Sequence, residues 1–217
     1  MTIFFSSDKV KLRLKLILKF MKLDRIVKFF LEVAVLKKTP RVGWRNIGMK
    51  NGDSVAEHSF LASQIAFVLG KMEKVNAERS ALIALFHDNG EARVGDRDLI
   101  NETYLNSKKA EENAFFDQIK GIIGEKEIKD LYQEWIEQKT PEAIVAKDAD
   151  LLELIIEAKS QMERGNKLVK VWIDNAKSKL KTKSAKKIAE KIEKTEIDSW
   201  WRQIPKIKEK LNKLKKT

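Results

Sequence analysis

The chain contains no cysteine. Disulfides, thiolate zinc sites and cysteine nucleophiles are therefore excluded, and the composition suits a reducing cytoplasm, where the protein is expected to stay. Proline and glycine are scarce, at three and nine in 217 residues, fewer than a turn-rich sheet protein or a low-complexity disordered chain would carry. Long apolar runs are missing too. Nothing approaches about 18 uncharged apolar residues, so no membrane-spanning helix is expected. Near the start, Lys9, Lys11, Arg13, Lys15 and Lys19 interrupt each apolar run before the core of a secretory signal could form.

What is present is a composition 43% hydrophobic and 35% charged, long enough for one domain with a sizeable core and, from its periodicity, all-α. The net charge of +12 is unevenly spread. Residues 1–40 carry ten Lys/Arg against three Asp/Glu, residues 41–158 carry fifteen against twenty-two, and residues 159–217 carry nineteen against seven. The middle is acidic, as a region that holds a cation can be. Lysines on solvated helical faces account for the basic ends, with nucleic acid or an anionic membrane surface as the alternative partner. We divide the chain into a basic amphipathic extension (1–24), a core (25–165), and C-terminal helices with a basic tail (166–217) packed on the same domain.

Apolar residues recur at three- and four-residue intervals from Val10 to about Lys38, predicting a helix that Thr39 and Pro40 end. Residues 40–53 hold Pro40, Gly43, Gly48 and Gly52 and read as a loop, which contains Arg41, Trp44 and Arg45. Ser54 and Glu57 form a capping box that opens the next helix, closed by Gly70. Asn76 can cap a third helix, running to His87 and Asp88 before Asn89 and Gly90 turn the chain. A charged helix is expected from about Ser107 to Ile123 and a shorter one near 128–138. Thr140 and Pro141 open a long helix reaching about Arg164. One or two more helices follow, with Trp172, Trp200 and Trp201 as packing anchors.

The chain has only two histidines, each beside acidic residues. His58 stands in V-A-E-H-S near the start of one helix, and His87-Asp88 stands at the far end of the next. Adjacent helices with a short connection pack antiparallel, which would bring these positions together. Neutral imidazoles and carboxylates suit a divalent ion and leave coordination positions open. The helix after Pro141 offers a further carboxylate in K-D-A-D-L-L-E-L, where a charge on an apolar face wants a cation. Plainer readings stand beside these: an Asp that orients a core histidine, a solvated or supporting Glu91, an Asp96 that caps a turn, an Arg41 paired with an acid.

The pattern His, His-Asp, distant Asp resembles the HD-domain metal phosphohydrolases. The segments V-A-E-H-S, A-L-F-H-D-N-G-E-A-R-V-G-D and D-A-D-L-L-E, with R-V-G-W-R-N upstream, resemble the 5'-deoxynucleotidase branch, over about residues 25–165. The resemblance implies a multi-helix HD-domain bundle whose metal site lies between helices. It implies His58, His87, Asp88 and Asp150 as metal ligands, with Asp150 preferred to Asp148 because it precedes L-L-E. Glu91 would be the catalytic acid, Asp96 a sugar contact and Arg41 the phosphate grip. Trp44 would pack on the nucleotide, although it is displaced from the family's adjacency of arginine and tryptophan. One divalent ion is implied, manganese, cobalt, iron or nickel, with magnesium or zinc further options. The expected function is hydrolysis of deoxynucleoside 5'-monophosphates by a homodimer. The alternatives are dNTP triphosphohydrolase, guanosine tetraphosphate hydrolase or phosphodiesterase activity, or a non-enzymatic nucleic-acid- or membrane-binding helical protein.

Overall fold

Helix boundaries in the computed structural model follow the side chains that can satisfy a helix end. The structure describes residues 22–50, 52–105 and 107–214; the expected helix start at Val10 and most of the 1–24 extension fall outside them. In chain order the helices are α1 (22–33), α2 (Val55–Glu73), α3 (Ala77–Phe86), α4 (Glu91–Val94), α5 (Leu99–Tyr104), α6 (Ser107–Ile119), α7 (Glu125–Glu137), α8 (Pro141–Glu163), α9 (Lys170–Lys179), α10 (Lys183–Glu193), α11 (Ser199–Arg202) and α12 (Pro205–Leu214). The fold is all-α: among the described residues the one extended pairing is an isolated bridge between Pro40 and Ser54.

The expected caps are in place. Ser54 N donates to Glu57 Oε2 at 2.7 Å and Glu57 N donates to Ser54 Oγ at 3.2 Å. Asn76 Oδ1 accepts from Arg79 N at 2.9 Å, and Thr140 Oγ1 accepts from Ala143 N at 3.1 Å with Pro141 in the first turn.

Several boundaries differ from the expectation for identifiable reasons. Gly70 does not close α2, which runs on to Glu73. The glycine is needed because Ala77 approaches it, so that a Cβ there would stand 2.8 Å from Ala77 Cα. The third helix stops at Phe86, one residue before the histidine. The charged helix ends at Ile119, ahead of Gly121 and Gly124, which adopt φ of +79° and +85°. The polar stretch after Gly95 forms α5, capped by Asp98, which accepts from Asn101 N at 2.9 Å. The C-terminal stretch forms four helices, and Trp200 is 71% exposed, so it is no packing anchor among the described residues.

The chain divides into two compact units, Met1–Ser59 with Phe86–Ile136, and Phe60–Leu85 with Glu137–Thr217. In the first, Phe29, Phe115, Ile119, Ile122 and Tyr132 form a buried cluster flanked by Val33, Phe86, Phe116, Ile128 and Trp135. Arg25 fastens α1 to the end of α6: its Nε donates to Lys120 O at 2.8 Å and its Nη2 to Asp117 O at 2.9 Å, a cation on the carbonyls a helix end leaves unpaired. In the second unit α8 packs against α9 and α10. Ala143, Val145, Ala149, Leu152 and Ile155 of α8, Ile173 and Ala176 of α9, and Ala185 and Ala189 of α10 are buried there.

Candidate metal centre

The capping box sets where α2 begins, and so places His58 in its first turn. Because α3 stops at Phe86, His87 and Asp88 lie in the turn beyond it, where their side chains are not committed to a helical face. The two imidazoles meet: His58 Nε2 and His87 Nε2 are 3.4 Å apart, with ring centroids at 5.3 Å. Asp88 Oδ2 lies 3.0 Å from His87 Nε2 and 3.6 Å from His58 Nε2. The histidines are 1% and 2% exposed, and His87 packs on Trp135 with centroids 4.4 Å apart. Two imidazoles and a carboxylate thus converge from positions 29 and 30 residues apart in sequence.

Beside this triangle lies an acidic cluster. Glu91 opens α4 and is 9% exposed, and its Oε2 has no hydrogen-bond partner among the described residues. Burial first, then the charges of Asp88, Asp96 and Glu111, push its carboxyl up to about 11, against the pull of Arg41. Asp96 is also raised, by burial, while Arg41 and the Val42 amide lower it. Arg41 is the cation facing these acids. Its Nη1 lies 2.6 Å from His58 Nδ1 and 3.9 Å from Asp53 Oδ2.

The arginine loop is strapped down at both ends. Arg41 N donates to Asp53 O at 3.0 Å and Val55 N to Thr39 O at 2.9 Å. Val42 N donates to Asp96 Oδ2, and Asp98 Oδ2 accepts from Asn46 Nδ2 at 2.9 Å and Arg45 Nη2 at 3.3 Å. Trp44 is 2% exposed, and its indole N–H donates to Asp53. Gly52 rests on the indole, leaving no room for a Cβ. Trp44 therefore offers no face on which a nucleotide could stack; it holds the loop in shape.

Within the first unit the structure brings together His58, His87, Asp88, Glu91, Asp96 and Arg41. Asp148 and Asp150 belong to the second. Asp148 accepts from the amides of Lys181 at 2.9 Å and Thr182 at 2.7 Å, so both its oxygens tie down the turn between α9 and α10. Asp150 accepts from Lys147 Nζ at 2.8 Å across one helical turn. Sequence reasoning missed Asp53, Asp98, Glu111, Tyr132 and Trp135. Asp98 carried a weak signal as an N-cap before Leu99; Glu111, in a charged run, looked like part of a solvated face.

A model of the HD domain matches residues 33–193. The chain belongs to the HD-domain family. The match extends past the expected limit at 165 and takes in α9 and α10. A 5'-deoxynucleotidase HDDC2 from Danio rerio is 34% identical over 139 residues, covering 63% of this chain and 69% of that protein. One from Dictyostelium discoideum is 32% identical over 146 residues, covering 63% and 77%. A solved protein structure from Pyrococcus horikoshii OT3 superposes with a TM-score of 0.68 at 28% identity, covering 77% of this chain and 98% of that one.

HD-domain membership implies a divalent cation, and the residues present fit one. Ligand atoms about 2.1 Å from a metal stand about 3.0 Å apart at right angles and about 3.4 Å apart at tetrahedral angles. The three donor atoms here are separated by 3.0 to 3.6 Å. The unpartnered Glu91 oxygen and the charges of Asp88 and Asp96 beside it ask for positive charge at the same place.

Proposed function

We propose that this HD-domain protein is a metal-dependent phosphohydrolase that converts deoxynucleoside 5'-monophosphates to deoxynucleosides and phosphate. The observation that carries the reading is the donor triangle of His58, His87 and Asp88 with the buried carboxyl of Glu91 beside it. The relatives named 5'-deoxynucleotidase support the choice of substrate class. Asp150 is the fourth ligand in this reading, chosen over Asp148, whose oxygens serve backbone amides.

The cation, when bound, supplies Lewis acidity and makes hydroxide available near neutral pH, and manganese, cobalt, iron or nickel suits the histidine–aspartate donor set. The chain's own groups do the rest. A water oxygen attacks phosphorus as the bond from phosphorus to the 5'-oxygen breaks; Glu91, whose carboxyl is pushed up by burial and the neighbouring acids, gives its proton to the departing 5'-oxygen and regains one from the attacking water, leaving the deoxynucleoside and hydrogen phosphate. Arg41 turns its guanidinium from the His58 side toward the phosphoryl oxygens and offsets their charge. Asp96 keeps one oxygen on the Val42 amide, which fixes the Arg41 loop, and offers the other to the sugar. Trp44 contributes by packing that loop.

A panel of dNMPs, NMPs and dNTPs, repeated with manganese, cobalt, nickel and magnesium, tests the substrate class. Release of inorganic phosphate from dNMPs at a kcat/KM at least about tenfold above that for NMPs is expected, a difference of about 1.4 kcal/mol in transition-state binding. Tripolyphosphate release from dNTPs, with dNMPs untouched, would move the assignment to a triphosphohydrolase.

The same reading places the protein in the cytoplasm with its nucleotides, as a homodimer. Leu23, Val27, Phe30, Leu31 and Val35 are exposed along one side of α1 and the turn after it, an apolar stripe that a second copy would cover. Light scattering should give twice the 25.1 kDa chain mass, and Val27→Glu with Leu31→Glu should halve it; a wild-type mass of one chain removes the dimer.

A further inference from the structure

A second carboxyl, the half-buried Glu111, approaches the centre from α6. Gly90, between Asn89 and Glu91, packs directly on Glu111: a Cβ at Gly90 would stand 2.7 Å from the Glu111 carbonyl oxygen and 2.9 Å from its Cγ. The turn that presents Asp88 and Glu91 therefore rests on the backbone and side-chain stem of Glu111, and only glycine permits that approach. The carboxyl end is held in turn. Tyr132 OH donates to Glu111 Oε1 at 3.4 Å, and the Tyr132 ring is fixed by stacking on Phe115, with centroids 3.9 Å apart and planes 13° apart.

Stability alone gives no reason for an acid here. Burial first, then the charges of Asp88 and Glu102, push the Glu111 carboxyl up to about 8, against the pull of the Tyr132 hydrogen bond and Arg97. An apolar side chain of similar volume would avoid that desolvation. Buried acids kept among other acids gather at working sites.

We propose that Glu111 is a positioning residue for the hydrolytic centre: through Gly90 it sets the angle at which Asp88 and Glu91 face the cation and substrate, and Tyr132 holds Glu111 in that orientation. The proposal rests on the phosphohydrolase reading of the site. It differs from a packing role in requiring the carboxyl's shape and its bond from Tyr132. Glutamine, which keeps an oxygen for the Tyr132 hydroxyl, should therefore restore what alanine loses.

The test uses the full chain carrying Glu111→Ala, Glu111→Gln or Tyr132→Phe, with two readouts: dNMP hydrolysis, and the visible absorption of the cobalt-loaded protein, which reports ligand geometry without turnover. A small misplacement of reacting groups is worth up to about 100-fold in rate. Glu111→Ala should lower kcat by roughly that factor with KM within about threefold, and shift the cobalt bands at unchanged stoichiometry. Glu111→Gln should recover most of the loss, and Tyr132→Phe should show a smaller fall with the same split.

Wild-type kcat and an unshifted cobalt spectrum in Glu111→Ala overturn the proposal. So does a rise in KM at constant kcat, which would make Glu111 a substrate contact, or a kcat deficit erased by excess metal. Should Glu111→Ala fail to fold, Tyr132→Phe decides by the same measurements. A wild-type chain that cleaves no dNMP sinks the phosphohydrolase reading separately, and the cobalt spectra of the variants then settle the positioning role on their own.

Discussion

Replacing Glu91 by glutamine should leave the metal content of the protein unchanged and lower turnover of dNMPs by about 10²- to 10⁴-fold, the range that positioned proton transfer contributes. Glu91 stands at the first position of a four-residue helix, pressed between the Asp88 turn and the Gly90–Glu111 contact, with one oxygen lacking a partner. Burial and three neighbouring acids hold its proton far above the usual carboxylate range. An acid of that kind can protonate an alkoxide as it leaves, a step for which water at neutral pH is a poor donor. Glutamine reproduces the shape and donates a hydrogen bond, but it has no proton to release, so binding should survive and chemistry should not. The check is metal analysis of both proteins beside steady-state rates. Turnover within about threefold of wild type would remove Glu91 from proton transfer, given the size of the effect expected.

Most of the donor set was legible because it depends on local rules. The capping box of Ser54 and Glu57 fixes the phase of α2, and with it the position of His58. An apolar run followed by His-Asp-Asn-Gly marks where α3 must end, and a short link between the helices makes their opposite ends neighbours. Those steps place His58, His87 and Asp88 together, as the structure does. Aspartates 148 and 150 were harder to separate, because both sit in one helical segment and periodicity cannot say which meets an amide. The answer for Asp148 comes from the turn at Lys181 and Thr182, more than thirty residues away.

Trp44, Glu111 and the loop-tying role of Asp98 were illegible for a related reason. An aromatic residue in a glycine-rich loop reads as a ligand platform; here the glycine at 52 makes room for it to be buried. Asp98 looks like one helix cap, yet its second oxygen ties down the loop from Arg45 to Asn46. Glu111 lies in a charged stretch of α6 whose low amphipathicity conceals that one acid is half-buried. Each depends on a contact between segments distant in sequence, which no window of ten or fifteen residues contains.

The metal-free protein should lose stability as pH rises from 5 to 8, and a divalent cation should restore more of it at pH 8 than at pH 5. Asp96 is raised by burial, and two glutamates have folded-state pKa values well above their ordinary 4.5, Glu91 at about 11 and Glu111 at about 8. Between pH 5 and 8 the folded chain keeps protons on both while the unfolded chain has released them. More protons bound in the folded state means that stability falls with rising pH, by up to about 1.4 kcal/mol per pH unit for each group. Above pH 8 Glu91 continues the decline. The carboxylates held low, among them Glu57, Glu73 and Asp98, act in the opposite sense but lose their contribution only below their ordinary range, outside this window. For a chain of this size each kcal/mol moves Tm by about 2–4 °C, so a fall of at least roughly 5 °C is expected across the window. A cation at a hundred times its Kd adds roughly 3 kcal/mol to the folded state, and its affinity rises as the competing protons leave. His87→Ala should abolish the cation's effect while retaining the pH slope, since the slope comes from carboxyls and the binding from the imidazole triangle. Thermal melts of both proteins with and without manganese at pH 5 and pH 8 make the comparison; a flat metal-free profile would mean that the acids beside Asp88 are not buried as the fold requires.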